Sequence, residues 1–372
     1  MNIAFFSESY KPYLSGVTNS IETLKNGLEE LGHKTLVFSP NYPGAPAVPG
    51  VYRFPSIPAT YPGYRITIPV PGMYFNKLKE NQINLIHSHS PYQLGLLSMR
   101  YAKKLKIPFV FTMHTILSKY MHYVPLIPRK LSIKLMDQYI KWFSNRCNCV
   151  IVPTDKVAQI MHSIGIKTRI EIVPTGIDLN LAKKANPFGI RKKHGIPEDA
   201  KLLIFVGRLA KEKNIQFLLD SFKIIQEKEK HTFLIIAATG PLENELKRAS
   251  PKNVVFAGRI PYPKVLDYYA ASDIFIFSSL SETQALVLVE AMALGIPQVA
   301  VDAEGVSDII KNGVTGYLTA PSRELFSAKI IELMKDELLH EKMSRSSGEI
   351  AKAIYSKEVF AHKIEQIYKS VI

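Results

Sequence analysis

The chain has 372 residues, 47% of them hydrophobic, and a formal net charge of +15. That length and apolar content suit two ordinary domains with a core each and exclude a disordered or low-complexity chain. Cys147 and Cys149 are too close together to staple a fold, and with no His or further Cys beside them they make no zinc site, so a reducing cytosol is expected.

The N-terminus enters a strand directly at Ile3–Phe6, with no basic flank and no cleavage site. A helix is predicted over Thr18–Leu31, stopped by Gly32, and a strand over Thr35–Ser39. A proline-rich excursion follows from Pro43 to Pro71; its prolines rule it out as a spanning helix, and no other window is long and apolar enough. Strands resume at Leu85–His87, Phe109–Thr112 and Val150–Val152, with helices over 92–105 and 128–146. After Gly176-Ile-Asp178 the pattern restarts, with strands at Leu202–Val206, Phe233–Ala237, Val254–Phe256, Ile274–Phe277 and Gln298–Val301, each followed by a helical stretch. Such alternation argues a doubly wound parallel sheet, and two series argue two similar halves. The expected domains are 1–178 joined by an amphipathic last helix in 357–372, and 179–356. Ligands of such sheets bind beyond the carboxyl ends of the strands, so the loops there are expected to enclose a central cleft.

Charge is unevenly shared. Residues 1–178 hold 20 Lys/Arg against 9 Asp/Glu, and the remainder holds 27 against 23. Between Arg100 and Arg146 ten basic residues face one acid, Asp137, and alternate with Tyr120, Tyr123, Leu126, Ile127, Leu131, Leu135, Tyr139 and Trp142. Such a surface attracts nucleic acid or anionic lipid, or is simply solvated.

Four constellations fall in the loops after strands. Ser15-Gly16-Val17 precedes the first helix, where glycine admits a ligand close to the backbone or merely turns the chain. His87, His89 and His114 end two strands. They lack the Asp, Glu or Cys company of a metal site, and His114 is the one suited to donate to a sugar hydroxyl. Gly207-Arg208-Leu-Ala-Lys-Glu-Lys213-Asn214 offers a bidentate guanidinium and a point charge for phosphate, against the alternative of a solvated basic tip. Glu282 and Glu290 are eight residues apart. The first lies in a loop, the second on an apolar helix predicted from Gln284 to the Gly295-Ile-Pro297 stop. Neither a Gly-x-Gly-x-x-Gly nor a Gly-x-x-x-x-Gly-Lys-Ser/Thr motif occurs.

Together Ser15-Gly16-Val17, Phe111-Thr-Met-His114-Thr, Pro174-Thr-Gly-Ile-Asp178, Gly207-Arg-Leu with Lys213-Asn, and the Glu282–Glu290 stretch resemble the retaining glycosyltransferases of family 4, over nearly the whole chain. Ile86-His-Ser-His-Ser-Pro91 and Tyr120-Met-His-Tyr-Val-Pro125 are similar to the bacterial 1,2-diacylglycerol 3-glucosyltransferases. The resemblance implies a GT-B fold, two Rossmann-like domains facing a cleft, and a nucleotide-sugar donor held mainly by the C-terminal one. It assigns Arg208 and Lys213 to the diphosphate with the backbone at Gly16, Leu286 and Val287. Glu290 takes the ribose, Glu282 the donor sugar, Arg259 and Ile260 the base, and His114 the transferring sugar.

No cofactor and no catalytic metal are expected. The implied reaction moves glucose from UDP-glucose to diacylglycerol on the inner face of the cell membrane, by same-face attack. The alternative is a family 4 enzyme using GDP-mannose or UDP-GlcNAc and a soluble or different lipid acceptor. No nucleic-acid motif accompanies the charge, so nucleic acid is not an expected partner. Ala285, Thr239-Gly-Pro241 and Asp308 depart from the family pattern, with Ala285 expected to crowd the donor and the set to alter sugar selectivity.

Overall fold

The computed structural model describes residues 1–13, 15–59, 63–117 and 128–372. They form two units, Met1–Gly176 with Lys357–Ile372, and Ile177–Ser356. The strands of the first unit are β1 (Asn2–Phe6), β2 (Lys34–Pro40), β3 (Val51–Phe54), a hairpin of β4 (Ser56–Pro58) and β5 (Arg65–Thr67), then β6 (Leu85–Ser88), β7 (Phe109–Thr112), β8 (Cys149–Val152) and β9 (Ile170–Ile172). All but the hairpin make one sheet in the order β3-β2-β1-β6-β7-β8-β9, with parallel pairing throughout.

Strand alternation explains how this sheet is covered. Ile3 and Phe5 of β1 join a core with Ile21, Leu24 and Leu28 of the helix Gly16–Glu30. Ala4 and Phe6 point to a second core with Leu94 and Leu97 of the helix Gln93–Leu105. A strand buried on both faces must read as a continuous apolar run, which Ile-Ala-Phe-Phe does. The last helix, Lys357–Val371, contributes Phe360, Ile364, Ile367 and Tyr368 to the first of these cores. It lies so close to the helix Gly16–Glu30 that a Cβ on Gly27 would sit 2.6 Å from the Ala361 Cβ.

The second unit has β10 (Lys201–Arg208), β11 (Thr232–Thr239), β12 (Val254–Phe256), β13 (Ile274–Phe277), β14 (Gln298–Val301) and β15 (Gly316–Thr319). Their order is β12-β11-β10-β13-β14-β15, again all parallel. The expected α/β class, two doubly wound parallel sheets, is what the chain adopts.

Several element expectations are corrected. The proline-rich excursion holds β3 and the hairpin, because an edge strand and a short two-stranded ribbon both tolerate nearby proline. The helix expected from Thr18 begins at Gly16, since the Ser15 side chain accepts the Thr18 N–H and so caps it there. β14 leads to β15 before any helix, where Gly316 lets the strands approach.

In each sheet the strand order turns back at one place, between β1 and β6 and between β10 and β13. Parallel α/β sheets open their ligand crevices at such switch points.

Candidate functional site

In the second unit the switch point is built from the exits of β10 and β13. Arg208 was expected in a loop but closes β10, in register with Thr239 of β11. The reason is local. The Leu209 N–H donates to the Thr239 carbonyl at 3.0 Å, and Gly240 packs on the Leu209 backbone, where a Cβ would lie 2.3 Å from the Leu209 carbonyl oxygen. No side chain fits there, so the two strand ends stay together.

A short 3-10 turn, Lys211–Lys213, leads to Asn214, which takes the left-handed backbone (φ 53°) that starts the helix Ile215–Lys228. This turn is tied to the exit of β13. The Ser278 hydroxyl lies 2.7 Å from the Lys213 carbonyl, and the Leu280 N–H donates to the Glu212 carbonyl at 3.1 Å. The tie brings Lys213 Nζ into an ion pair with Glu282, both side chains less than a fifth exposed. Behind Glu282 stands Gly305 at φ 72°, whose Cβ would lie 2.5 Å from the Glu282 carbonyl oxygen. Glu282 is therefore gripped by a cation on one side and backbone on the other.

Glu290 is placed differently. It lies inside the helix Leu286–Ala293, 7% exposed, and its carboxylate accepts a 3.0 Å hydrogen bond from the Tyr269 hydroxyl. Burial raises its pKa to about 7, and the tyrosine bond opposes that rise. Sequence reasoning missed Tyr269. It lies on the separate helix Val265–Ala270, and no pattern within that helix marks it as a partner of Glu290.

The helix mouth differs from expectation. The helix opens at Leu286, not Gln284, and the Leu286 N–H already donates to the Gln284 carbonyl at 3.0 Å. Ala285 is buried in the core with φ −78°, a backbone conformation that does not require glycine. Val287 follows as the second helical residue, half-buried. Arg259 and Ile260 follow the edge strand β12, two places from β10; Arg259 is exposed, and Ile260 leans on the core. Of the residues expected to meet a donor, the fold puts Lys213 and Glu282 in contact and sets Arg208 at the end of β10, the strand that leads to Lys213.

In the first unit, Gly16 is the exposed first residue of its helix, and Ser9, Ser15 and Thr18 share hydroxyl contacts beneath it (2.9 to 3.2 Å). His87 is wholly buried and spent on structure, Nδ1 to the Tyr368 hydroxyl at 2.6 Å and Nε2 to Thr112 Oγ1 at 2.7 Å. His89 and His114 meet at 3.0 Å, Nδ1 to Nε2. Burial lowers all three pKa values, His114 to about 4, so each is neutral at pH 7. Among the described residues no group of three His, Cys, Asp or Glu side chains is arranged to hold a metal ion. Cys147 and Cys149 are free thiols.

The helix Arg129–Ser144 buries Ile140 and Phe143 but exposes Leu131, Leu135 and Trp142 at 49%, 54% and 43%. Positions 131, 135 and 142 share one helical face. Lys130 and Lys134 flank it, exposed, and the Arg146 guanidinium lies 4.4 Å from the Trp142 ring. Apolar side chains left in water beside cations are unusual enough to mark an interaction face. The Tyr120–Pro125 motif, with Leu126 and Ile127, lies outside the described residues. No helix among those described is long and apolar enough to cross a membrane.

Comparison with known proteins fits this division. Residues 14–181 match the family described as Glycosyltransferase Family 4, and residues 188–350 match Glycosyl transferases group 1. An alpha-monoglucosyldiacylglycerol synthase of Acholeplasma laidlawii is 32% identical, covering 100% of this chain and 98% of its own. A synthase of the same name from Streptococcus pneumoniae is 30% identical over 94% of this chain and 83% of its own. Anabaena HepE, crystallised with UDP, superposes with a TM-score of 0.78 over 100% of both chains at 18% identity, a likeness of fold alone.

Proposed function

Because the chain belongs to glycosyltransferase family 4 and has the GT-B fold, we propose that it transfers glucose from UDP-glucose to 1,2-diacylglycerol at a membrane surface, with retention of configuration. The observation that carries the donor half of this reading is the Lys213–Glu282 pair at the β10–β13 switch point. It sets a phosphate-seeking cation and a hydroxyl-seeking carboxylate side by side. The acceptor is argued from the two synthases that the chain matches from end to end.

In this reading Arg208 and Lys213 neutralise the diphosphate, Glu290 accepts from the ribose hydroxyls, and Arg259 with Ile260 borders the base. A bound donor draws Lys213 to phosphate and frees Glu282 for the sugar hydroxyls. The acceptor hydroxyl attacks the anomeric carbon on the face the leaving group departs from. One C–O bond to glucose forms, the bond to the phosphate oxygen breaks, and that oxygen takes the acceptor's proton. The cations stabilise the leaving diphosphate, so the reaction needs no metal ion and no cofactor. Docking uses the helix Arg129–Ser144, with Trp142, Leu131 and Leu135 entering the headgroup layer and the basic residues meeting anionic lipid on the cytoplasmic leaflet.

The test is product analysis with UDP-glucose, UDP-GlcNAc and GDP-mannose offered together to a lipid extract. Consumption of UDP-glucose with a new glycolipid supports the reading. Preferential use of GDP-mannose, or transfer to a water-soluble acceptor only, overturns it.

Glu290 gives the donor site a pH dependence with a defined sign. Its folded-state pKa of about 7 lies above the usual carboxylate value, so below pH 7 it is mostly protonated and accepts from the ribose hydroxyls more weakly than the carboxylate does. UDP-glucose, whose diphosphodiester does not titrate in this range, should bind about tenfold more tightly at pH 8 than at pH 6. Glu290→Gln should remove that dependence and leave affinity weak at both values. Calorimetric titration reads it, and a flat profile in the unmodified chain would take Glu290 off the donor.

A further inference from the structure

We infer that His89 is a positioning residue that fixes the proton of His114 on Nδ1, so that His114 meets the transferring sugar as a hydrogen-bond donor. The inference rests on the proposed role of His114 and adds what determines its chemistry.

His89 follows β6 and His114 follows β7, neighbouring parallel strands. Their rings lie nearly parallel, with centroids 5.3 Å apart, and His89 Nδ1 is 3.0 Å from His114 Nε2. A contact of that length between two neutral imidazoles holds one proton, which belongs to one ring or the other.

The His89 ring has little freedom to choose another partner. The Phe5 ring packs against it at a steep angle, centroids 5.3 Å apart, and the His87 ring centroid lies 4.2 Å from its own. His87 is itself fixed by Tyr368 and Thr112.

The far side of His89 decides the matter. The residue is 4% exposed, and its Nε2 has no hydrogen-bond partner among the described residues. If that nitrogen carried the proton, an N–H would be stranded in the interior. If the proton is on Nδ1, only a lone pair is stranded, and the N–H is used in the bond to His114. Buried N–H groups without partners are rarer than under-used acceptors. His89 Nδ1–H therefore donates, His114 Nε2 accepts, and the proton of neutral His114 is left on Nδ1. Burial, which keeps both rings neutral, removes the doubly protonated alternative. A free neutral histidine holds its proton by preference on Nε2, so this arrangement is imposed by the neighbour.

The test uses the full chain labelled with ¹⁵N-histidine, in which long-range ¹H–¹⁵N correlation reads each tautomer. In the unmodified, unliganded protein His114 is expected as the Nδ1–H form. In His89→Leu it should relax towards Nε2–H, and kcat should fall about tenfold or more with the UDP-glucose KM nearly unchanged. His89→Asn places an amide near the Nδ1 position and should recover most of the loss. An Nε2–H form in the unmodified chain, or an Asn variant no better than Leu, overturns the inference. Should the Leu variant not fold, the native tautomer and the Asn variant still decide. A chain that transfers no glucose yet shows the Nδ1–H form upholds the positioning and sinks the proposed function instead.

Discussion

Lys213→Ala is expected to lower kcat for glucose transfer by about a hundredfold to a thousandfold while the protein stays folded. A preorganised positive group aimed at a developing anion contributes about 3–4 kcal/mol to the transition state in a water-poor site. Lys213 is such a group, held by its bonds to the β13 exit and less than a fifth exposed. The substitution also strands the Glu282 carboxylate, whose only described ion-pair partner is Lys213, so melting should show a loss of about 1–3 kcal/mol. Glu282→Gln added to Lys213→Ala should restore much of that stability and none of the activity. The divergence separates the catalytic role from the structural one. Steady-state transfer beside thermal melting measures both, and normal turnover in a folded Lys213→Ala protein would remove Lys213 from the reaction.

The second large effect concerns the helix Arg129–Ser144. Reversing Arg129, Lys130 and Lys134 to Glu should weaken binding to anionic vesicles by a hundredfold or more. Each basic residue near such a surface contributes about 1 kcal/mol, and reversal turns attraction into repulsion. Lys141 is left unchanged, because it is half-buried with its Nζ beside Gly165, whereas Arg129, Lys130 and Lys134 are exposed. Trp142→Ser should add to the loss by removing the exposed ring. Vesicle sedimentation reads the effect, and high salt should mimic it in the unmodified chain. UDP-glucose affinity in solution should not move. An equal fall in donor affinity would assign the helix to the donor site or the fold.

What the sequence shows and what it hides have physical reasons. Ile3–Phe6 and Ile274–Phe277 read as buried parallel strands because both faces of each are covered, and alternation with helices then leaves few topologies. The Lys213–Glu282 contact joins residues 69 apart. It depends on β10 and β13 being neighbours in the sheet although β11 and β12 intervene in the chain. No local spacing carries that information. The helix starts at Leu286 and not at Gln284 because the Gln284 carbonyl accepts the Leu286 N–H, a turn that polar residues of many kinds can make. Sequence alone does not show that the Ala285 side chain is buried in the core. Three histidines in similar loops read alike in sequence, and only burial and partners separate His87, fully bonded, from the His89–His114 pair.

The most direct measurement is ¹³C NMR and mass analysis of the product formed from UDP-[1-¹³C]glucose and 1,2-dioleoylglycerol dispersed in phosphatidylglycerol. The account predicts a monoglucosyl lipid whose labelled carbon has the α-anomeric shift and coupling, with one UDP released per sugar moved. Unconsumed UDP-glucose in the presence of well-folded protein, or a β-linked product, would contradict it.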